Sequence, residues 1–90
     1  MLNPVYTTRF RKQFKLLLKR GIEAEKLREV MGMIINEEPL PAKYQNHPLH
    51  GEWKGAFDCH IQSDWILIYE PDYKTNTVTF HRTGSHSDLF

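Results

Sequence analysis

Histidine is frequent in this sequence, and most of its histidines fall where they could do chemistry. The chain contains five in 90 residues. Four of them are expected in loops or on the polar face of a strand, and their ordinary pKa of about 6.5 lets such side chains give and take protons near neutral pH. These four are His47, His50, His60 and His86.

Histidines that stand beside an aspartate and an arginine can cleave RNA by transesterification. A base removes the proton of a 2′-hydroxyl, an acid protonates the leaving 5′-oxygen, and a cation stabilises the phosphorane. Each positioned acid or base contributes roughly 10²–10⁴-fold to the rate, and stabilisation of the developing charge adds to this. The histidines therefore suggest a ribonuclease.

The segment FDCHIQ (57–62) alternates apolar and polar residues, which is typical of a strand with one polar face. His60 lies on that polar face. If Gln62 and Ser63 form the following turn, His60 lies opposite Trp65 on the same face of the sheet. On this interpretation Trp65 forms a wall of the cleft.

The last predicted strand, TVTFHRT (77–83), contains a histidine and an arginine in succession. Successive side chains of a regular strand point to opposite faces, so only one of His81 and Arg82 can belong to the site. We assign Arg82 to the site, because it leads into the segment TGSH, and expect His81 to be a surface histidine.

Metal binding is the main alternative use of the histidines. His47 and His50 are three residues apart, but Pro48 between them favours a loop. Structural zinc sites usually include cysteines, and the chain has no CxxC pair. We therefore predict neither a native metal nor a cofactor. Cys59 lies on the apolar face of its strand and is expected to be an inert core thiol. A metal site that included His47 and His50 would draw its further ligands from His60, Asp64 and His86.

The chain is predicted to start with a short β-like piece, VY (5–6), which two helices follow. Apolar residues recur at helical spacing in TTRFRKQFKLLLKR, with Thr7 or Thr8 as the N-terminal cap and Gly21 at the end. A second helix runs through EAEKLREVMGMIINEE and stops before Pro39. The pair is predicted to form an αα-hairpin.

Strands fill the second half of the sequence. DWILIYE is a nearly continuous apolar run and is predicted to be a central strand. SHSD matches a capping box, which predicts a short helical turn at the C-terminus. The expected fold class is α+β, with the N-terminal αα-hairpin packed on a small antiparallel sheet.

Bulk composition predicts one domain, residues 1–90, and excludes several classes of protein. The hydrophobic content is 40% and the charged content 26%, as in ordinary globular domains. No window resembles a membrane span or a signal peptide. A single cysteine excludes an intrachain disulfide framework, so we expect a cytoplasmic protein.

The net charge of +1 hides a basic N-terminal half, which holds nine of the twelve Lys and Arg residues. Six basic residues and no acid fall within the first 20 positions. Such a cluster can neutralise phosphates, although it can also be a solvated helix face. The six are Arg9, Arg11, Lys12, Lys15, Lys19 and Arg20.

Three stretches of the chain resemble the YafQ branch of the RelE-type bacterial toxins. They are HPL.G.WKG, D.H...DWILIY and RTGSH..LF, and the resemblance runs from the N-terminal strand to the last residue. It implies a RelE-like fold and a toxin that cuts messenger RNA at codons in the ribosomal A site. It also implies a cognate antitoxin, which would supply the contacts to operator DNA.

The resemblance further implies which residues form the site. Arg82 would hold the scissile phosphate, His86 would protonate the leaving oxygen, and Phe90 would stack on a codon base. His60 or His47 would be the base, while Asp64 would orient a histidine or take that role itself. Trp65, which follows Asp64, would complete the site. The six basic residues between positions 9 and 20 would bind ribosomal RNA.

Two other functions compete with this interpretation. A non-catalytic nucleic-acid-binding subunit that acts in autorepression would need basic and aromatic residues but no histidine cluster. A metal-dependent hydrolase would lose its activity on chelation. A DNA-binding helix-turn-helix is disfavoured, because the basic residues lie mainly on the first helix and not on the second.

Overall fold

A five-stranded sheet carries two helices on one face and the C-terminal turn on the other. The computed structural model describes residues 1–90. In chain order the elements are β1 (Asn3–Tyr6), α1 (Thr8–Lys19), α2 (Ala24–Ile35), β2 (His47–Pro48), β3 (Phe57–Gln62), β4 (Trp65–Asp72), β5 (Thr77–Gly84) and α3 (His86–Leu89), with 3₁₀ turns at Ala42–Tyr44 and Gly51–Trp53.

The strands lie in the order β1-β5-β4-β3-β2, so the apolar strand β4 is central, as predicted. β2, β3, β4 and β5 pair antiparallel, whereas β1 pairs parallel with β5. The α+β class and the two helices on the sheet are confirmed, but the sheet is mixed and not purely antiparallel. No helix has the length and apolar character that crossing a membrane would require.

Local signals in the sequence set the limits of α1. The hydroxyl of Thr7 accepts a hydrogen bond from the backbone N–H of Phe10, which caps the first turn. Arg20 is the C-terminal cap residue, and Gly21 follows with a φ of +88°, a conformation that glycine adopts without strain. Both limits agree with the prediction.

The larger core lies between the helices and the sheet. Leu27 and Val30 of α2 pack there with Leu67, Val78 and Phe80 of the sheet, and all five side chains are fully buried. Full burial of such a side chain stabilises the fold by about 1.5–3 kcal/mol. This face of the sheet therefore supplies stability.

A smaller apolar cluster covers the opposite face. Ile66 and Ile68 of β4 pack there with Ala56 and with Leu89 of α3, while Leu49 and Trp53 shield its edge. Leu89 thus anchors the C-terminal turn to the sheet. Polar and charged side chains surround this cluster, and they form the candidate site.

The predicted capping box at the C-terminus is confirmed. Ser85 Oγ accepts a hydrogen bond from the N–H of Asp88, and Asp88 Oδ2 accepts one from the N–H of Ser85 at 3.0 Å. Asp88 also pairs with Arg20 of α1 at 3.0 Å. A Cβ at position 84 would lie 3.0 Å from the Asp88 side chain, which explains why glycine precedes this motif. The C-terminal turn is therefore fixed to both the sheet and α1.

Candidate active site

A register shift in the β3–β4 hairpin changes which side chain lies opposite which. His60 pairs with Ile66, and Gln62 pairs with Trp65, with the irregularity between residues 60 and 62. The turn is consequently formed by Ser63 and Asp64, one position later than expected. The extra residue in β3 turns the Trp65 side chain away from His60.

Trp65 therefore belongs to the larger core and not to the cleft, so the prediction that it forms a wall of the site is wrong. Its side chain is 4% exposed, on the helix side of the sheet. The indole N–H donates to Thr83 Oγ1 at 3.0 Å, and the Thr83 hydroxyl donates to the carbonyl of Ile66.

Trp65→Phe should destabilise the protein without changing its chemistry. The substitution removes one buried hydrogen bond and part of the core volume, so we expect the free energy of unfolding to fall by about 1–3 kcal/mol. Chemical denaturation measures the loss, and activity per folded molecule should stay close to that of wild type, because the side chain of Trp65 does not contact the site. A much larger loss of activity at unchanged stability would show that Trp65 takes part in the active site.

A second bulge, in β5, places His81 and Arg82 on the same side of the sheet. Tyr69 pairs with Phe80 and Ile68 with Arg82, which leaves His81 as the extra residue. The prediction that the two side chains point to opposite faces is therefore wrong, because it assumed a regular strand. The His81 ring lies 5.3 Å from that of Trp53, and its Nε2 lies 2.9 Å from Glu70 Oε1.

His86 and Asp64 form an oriented pair at the exposed edge of this face. Asp64 Oδ1 accepts hydrogen bonds from the backbone N–H and from Nδ1 of His86, both at 3.1 Å. These bonds hold the pKa of Asp64 below its ordinary value, so its carboxylate stays charged at lower pH than a free aspartate. A proton on Nδ1 leaves Nε2 of His86 free to face a substrate.

Four aromatic rings continue from this pair as a row. The centroid of the His86 ring lies 5.6 Å from that of His60 and 6.2 Å from that of Phe90. His60 is in turn 6.3 Å from His47. His60 is half-buried, and neither of its ring nitrogens has a hydrogen-bond partner. The structure thus brings together three of the histidines from separate elements.

His47 contacts the backbone and lies beside an acidic residue that the sequence interpretation did not assign to the site. The contact with that residue is a close approach of the two groups and not a hydrogen bond. Its Nδ1 lies 2.7 Å from the carbonyl of Gln45, and its Nε2 lies 3.0 Å from Asp58 Oδ1. Asp58 is 6% exposed and sits opposite His47 in the β2–β3 pair. The alternation that placed Asp58 beside His60 on the polar face was the available signal.

Arg82 forms no salt bridge, although the carboxylate of Asp88 attracts it at longer range. Its Nη1 and Nη2 donate to the carbonyls of Leu89 and Asp88 at 3.3 and 3.0 Å, and its buried Nε has no partner. Burial and the nearby guanidinium of Arg9 lower the pKa of Arg82. Two guanidinium groups that line one cavity, neither of them in a salt bridge, favour the binding of an anion there.

The six basic residues of the N-terminal region are all exposed, but they do not share one surface. Arg9 faces the same cavity as Arg82, Arg11 lines a groove between α1 and α2, and Arg20 is paired with Asp88. Lys12, Lys15 and Lys19 form no ion pair.

The remaining candidates from the sequence lie apart from this row. Cys59 is fully buried among apolar side chains, and burial, reinforced by the Asp58 charge, raises its pKa to about 12. A thiol with that pKa is protonated and unreactive at neutral pH. His50 is exposed and makes no side-chain hydrogen bond. No three His, Cys, Asp or Glu residues are grouped as metal ligands.

Comparison with known proteins gives a consistent result over the whole chain. A family model described as "Bacterial toxin of type II toxin-antitoxin system, YafQ" matches residues 2–90. The mRNA interferase toxin YafQ of Escherichia coli K12 is 45% identical over 86 residues, which cover 94% of this chain and 91% of that protein.

Solved structures agree with this match. The toxin chain of the E. coli DinJ–YafQ toxin–antitoxin complex superposes with a TM-score of 0.91 at 42% identity, covering 99% of this chain and 97% of that one. A metal-bound toxin from Helicobacter pylori superposes with a TM-score of 0.94 at 39% identity, with both chains covered completely.

Proposed function

Because the chain belongs to the YafQ family of bacterial toxins of type II toxin–antitoxin systems, we propose that it is an mRNA interferase, an endoribonuclease that cuts messenger RNA at codons in the ribosomal A site. The observation that carries the proposal is the oriented His86–Asp64 pair next to His60. Arg82 lines a cavity together with Phe90, whose ring lies next to that of His86. The proposed active site consists of His47, His60, Asp64, Arg82 and His86.

The three histidines differ in which of their ring nitrogens have partners, and this difference supports a division of roles. His60 has an unpartnered ring and is suited to accept the proton of the 2′-hydroxyl. His86 is held by Asp64 through Nδ1, and the carboxylate of Asp64 favours the doubly protonated ring, which can then give its Nε2 proton to the leaving 5′-oxygen. Both ring nitrogens of His47 already face oxygens, so we assign it a positioning and electrostatic role.

Arg82 would stabilise the charge that develops on the phosphorane, and Phe90 would stack on a codon base. Cations fixed where charge develops are effective because they need no reorganisation during the reaction. The Phe90 side chain is 66% exposed, which is unusual for an aromatic residue and leaves its face open. The expected products are a 2′,3′-cyclic or 3′-phosphate and a 5′-hydroxyl, formed without a metal.

The openness of the site supports dependence on the ribosome. The side chains of His86 and Asp64 are 58% and 66% exposed, so the toxin alone offers little surface to bend a message for in-line attack. The ribosome would present the codon in that geometry. The unpaired lysines of α1 (Lys12, Lys15 and Lys19), with Arg11 and Arg20 beside them, would contact ribosomal RNA.

We further propose that a cognate antitoxin neutralises the chain in the cytoplasm, as the E. coli relative is found in complex with the antitoxin DinJ. Operator DNA would be contacted through that antitoxin. The basic residues of α1 are divided among a cavity, a groove and an ion pair, which is unlike the continuous basic face of a DNA-recognition helix.

Primer extension on a reporter message tests the function. Purified toxin should produce breaks in frame with the codons when the message is loaded on ribosomes, and few or none on the naked message. The 5′ fragments should end in a cyclic or 3′-phosphate. Toxicity with an intact message would contradict the proposal and favour the non-catalytic autorepressor. A chelator can also be added while the magnesium concentration that the ribosome needs is maintained. Loss of cleavage under these conditions would favour a metal-dependent hydrolase.

A further inference from the structure

A cavity of about 490 Å³ adjoins the row of aromatic rings at Phe90, and of its lining residues only Arg82 and Phe90 have a role in the proposed function. We call it the Trp53 cavity; its lining residues are Arg9, Glu52, Trp53, Arg82, Leu89 and Phe90. Its volume falls within the range of about 300–1,000 Å³ that is usual for small-molecule sites. The residues come from α1, the second 3₁₀ turn, β5 and the C-terminus, so the fold and not one loop creates the cavity.

The charges of the cavity indicate that it binds a phosphate. Arg9 and Arg82 both line it, and neither forms a salt bridge with a carboxylate. Two guanidinium groups brought together repel each other, and an anion between them removes that cost. Guanidinium is also the group that pairs best with phosphate oxygens.

The aromatic residues of the cavity indicate that the phosphate carries a base. Trp53 is half-buried, because its ring packs on His81 and on the smaller apolar cluster. Phe90 lines the same cavity and is largely exposed. Any of the four bases gains affinity by stacking on such a ring. An ion-binding site alone would not need these two rings.

Glu52 adds a selective element to the cavity. Its carboxylate is exposed and forms no ion pair with either arginine, so it is available as an acceptor. Adenine, cytosine and guanine each offer an exocyclic amino group as a donor. The only ring donor of uracil lies between two carbonyl groups, which would repel a carboxylate.

We propose that the Trp53 cavity binds the message nucleotide adjoining the scissile phosphate, with its phosphate on Arg9 and Arg82, its base against Trp53, and an amino group of the base on Glu52. This proposal rests on the proposed function. It makes Arg9, Glu52 and Trp53 substrate-binding residues, and Arg9 thereby contacts the message and not ribosomal RNA.

Binding can be tested on the free protein, without ribosomes, through its two indole N–H resonances. Adenosine 5′-monophosphate should shift the Trp53 resonance and leave that of the core residue Trp65 in place. Uridine 5′-monophosphate should need at least about ten-fold more ligand for the same shift, and Arg9→Ala should weaken adenylate binding about ten-fold. No shift at millimolar adenylate, or an equal shift with inorganic phosphate alone, would overturn the proposal.

The pattern of codons cut on ribosomes provides the second measurement. Glu52→Gln should reduce the preference between amino-bearing bases and uracil about ten-fold while cleavage continues, whereas Glu29→Gln on the exposed side of α2 should change nothing. Trp53→Leu keeps an apolar packing surface and should raise KM more than it lowers kcat. If wild-type toxin cuts in frame and the Glu52→Gln pattern is identical, this inference fails and the proposed function stands. If wild type does not cut, the function itself fails.

Discussion

Replacing His86 with alanine should lower the rate of message cleavage by about 10²–10⁴-fold, the usual contribution of a positioned acid or base. The physical reason is the geometry of the pair, since Asp64 accepts from Nδ1 at 3.1 Å and thereby directs Nε2 of His86 to the leaving oxygen. Single-turnover cleavage on programmed ribosomes measures the loss.

The matched control is His50→Ala, which removes an exposed histidine without side-chain contacts and should leave the rate unchanged. Thermal unfolding of the His86 variant should match that of wild type, because the side chain is mostly exposed and supports no core packing. A folded His86→Ala protein that still cuts messages at the wild-type rate would exclude His86 from the chemistry.

Arg82→Lys should lower the cleavage rate by about 10²–10³-fold although it keeps the charge. The guanidinium bonds two carbonyls of the C-terminal turn and still faces the cavity, whereas a lysine ammonium cannot satisfy both carbonyls and a phosphate from one position. The loss should appear mainly in kcat, since charge stabilisation acts on the transition state.

Arg28→Lys is the control for this substitution, because Arg28 lies on α2 in an exposed pair with Glu25. Thermal unfolding of both variants separates chemistry from folding, and the C-terminal turn of the Arg82 variant should loosen while the sheet remains. Wild-type kcat in Arg82→Lys would show that charge alone suffices and that the fixed geometry of the guanidinium has no part in catalysis.

Periodicity predicted the helices, the central strand and the capping box because each depends on residues close in the chain. Thr7 and Ser85 cap as expected since their partners lie three residues away. The short N-terminal strand was also predicted, but its parallel pairing was not, because β1 pairs across most of the chain with β5 and nothing within four residues specifies that pairing.

The errors in the site have one cause, which is that alternation holds only in a regular strand. One extra residue in β3 moved Trp65 into the core, and another in β5 brought His81 to the side of Arg82. A bulge depends on how two strands meet, so neither was visible in one segment. Asp58 was missed for a related reason, because its partner His47 comes from a two-residue strand.

The two faces of the sheet affect how genetic screens of this protein should be interpreted. Along β4, Leu67 faces the helices, whereas its neighbours Ile66 and Ile68 support the face that carries the site. A selection for surviving cells recovers damage to either face and cannot distinguish misfolded protein from intact but inactive protein. Measuring the abundance of each variant alongside survival would separate the two, and only variants present at normal levels would report on catalysis.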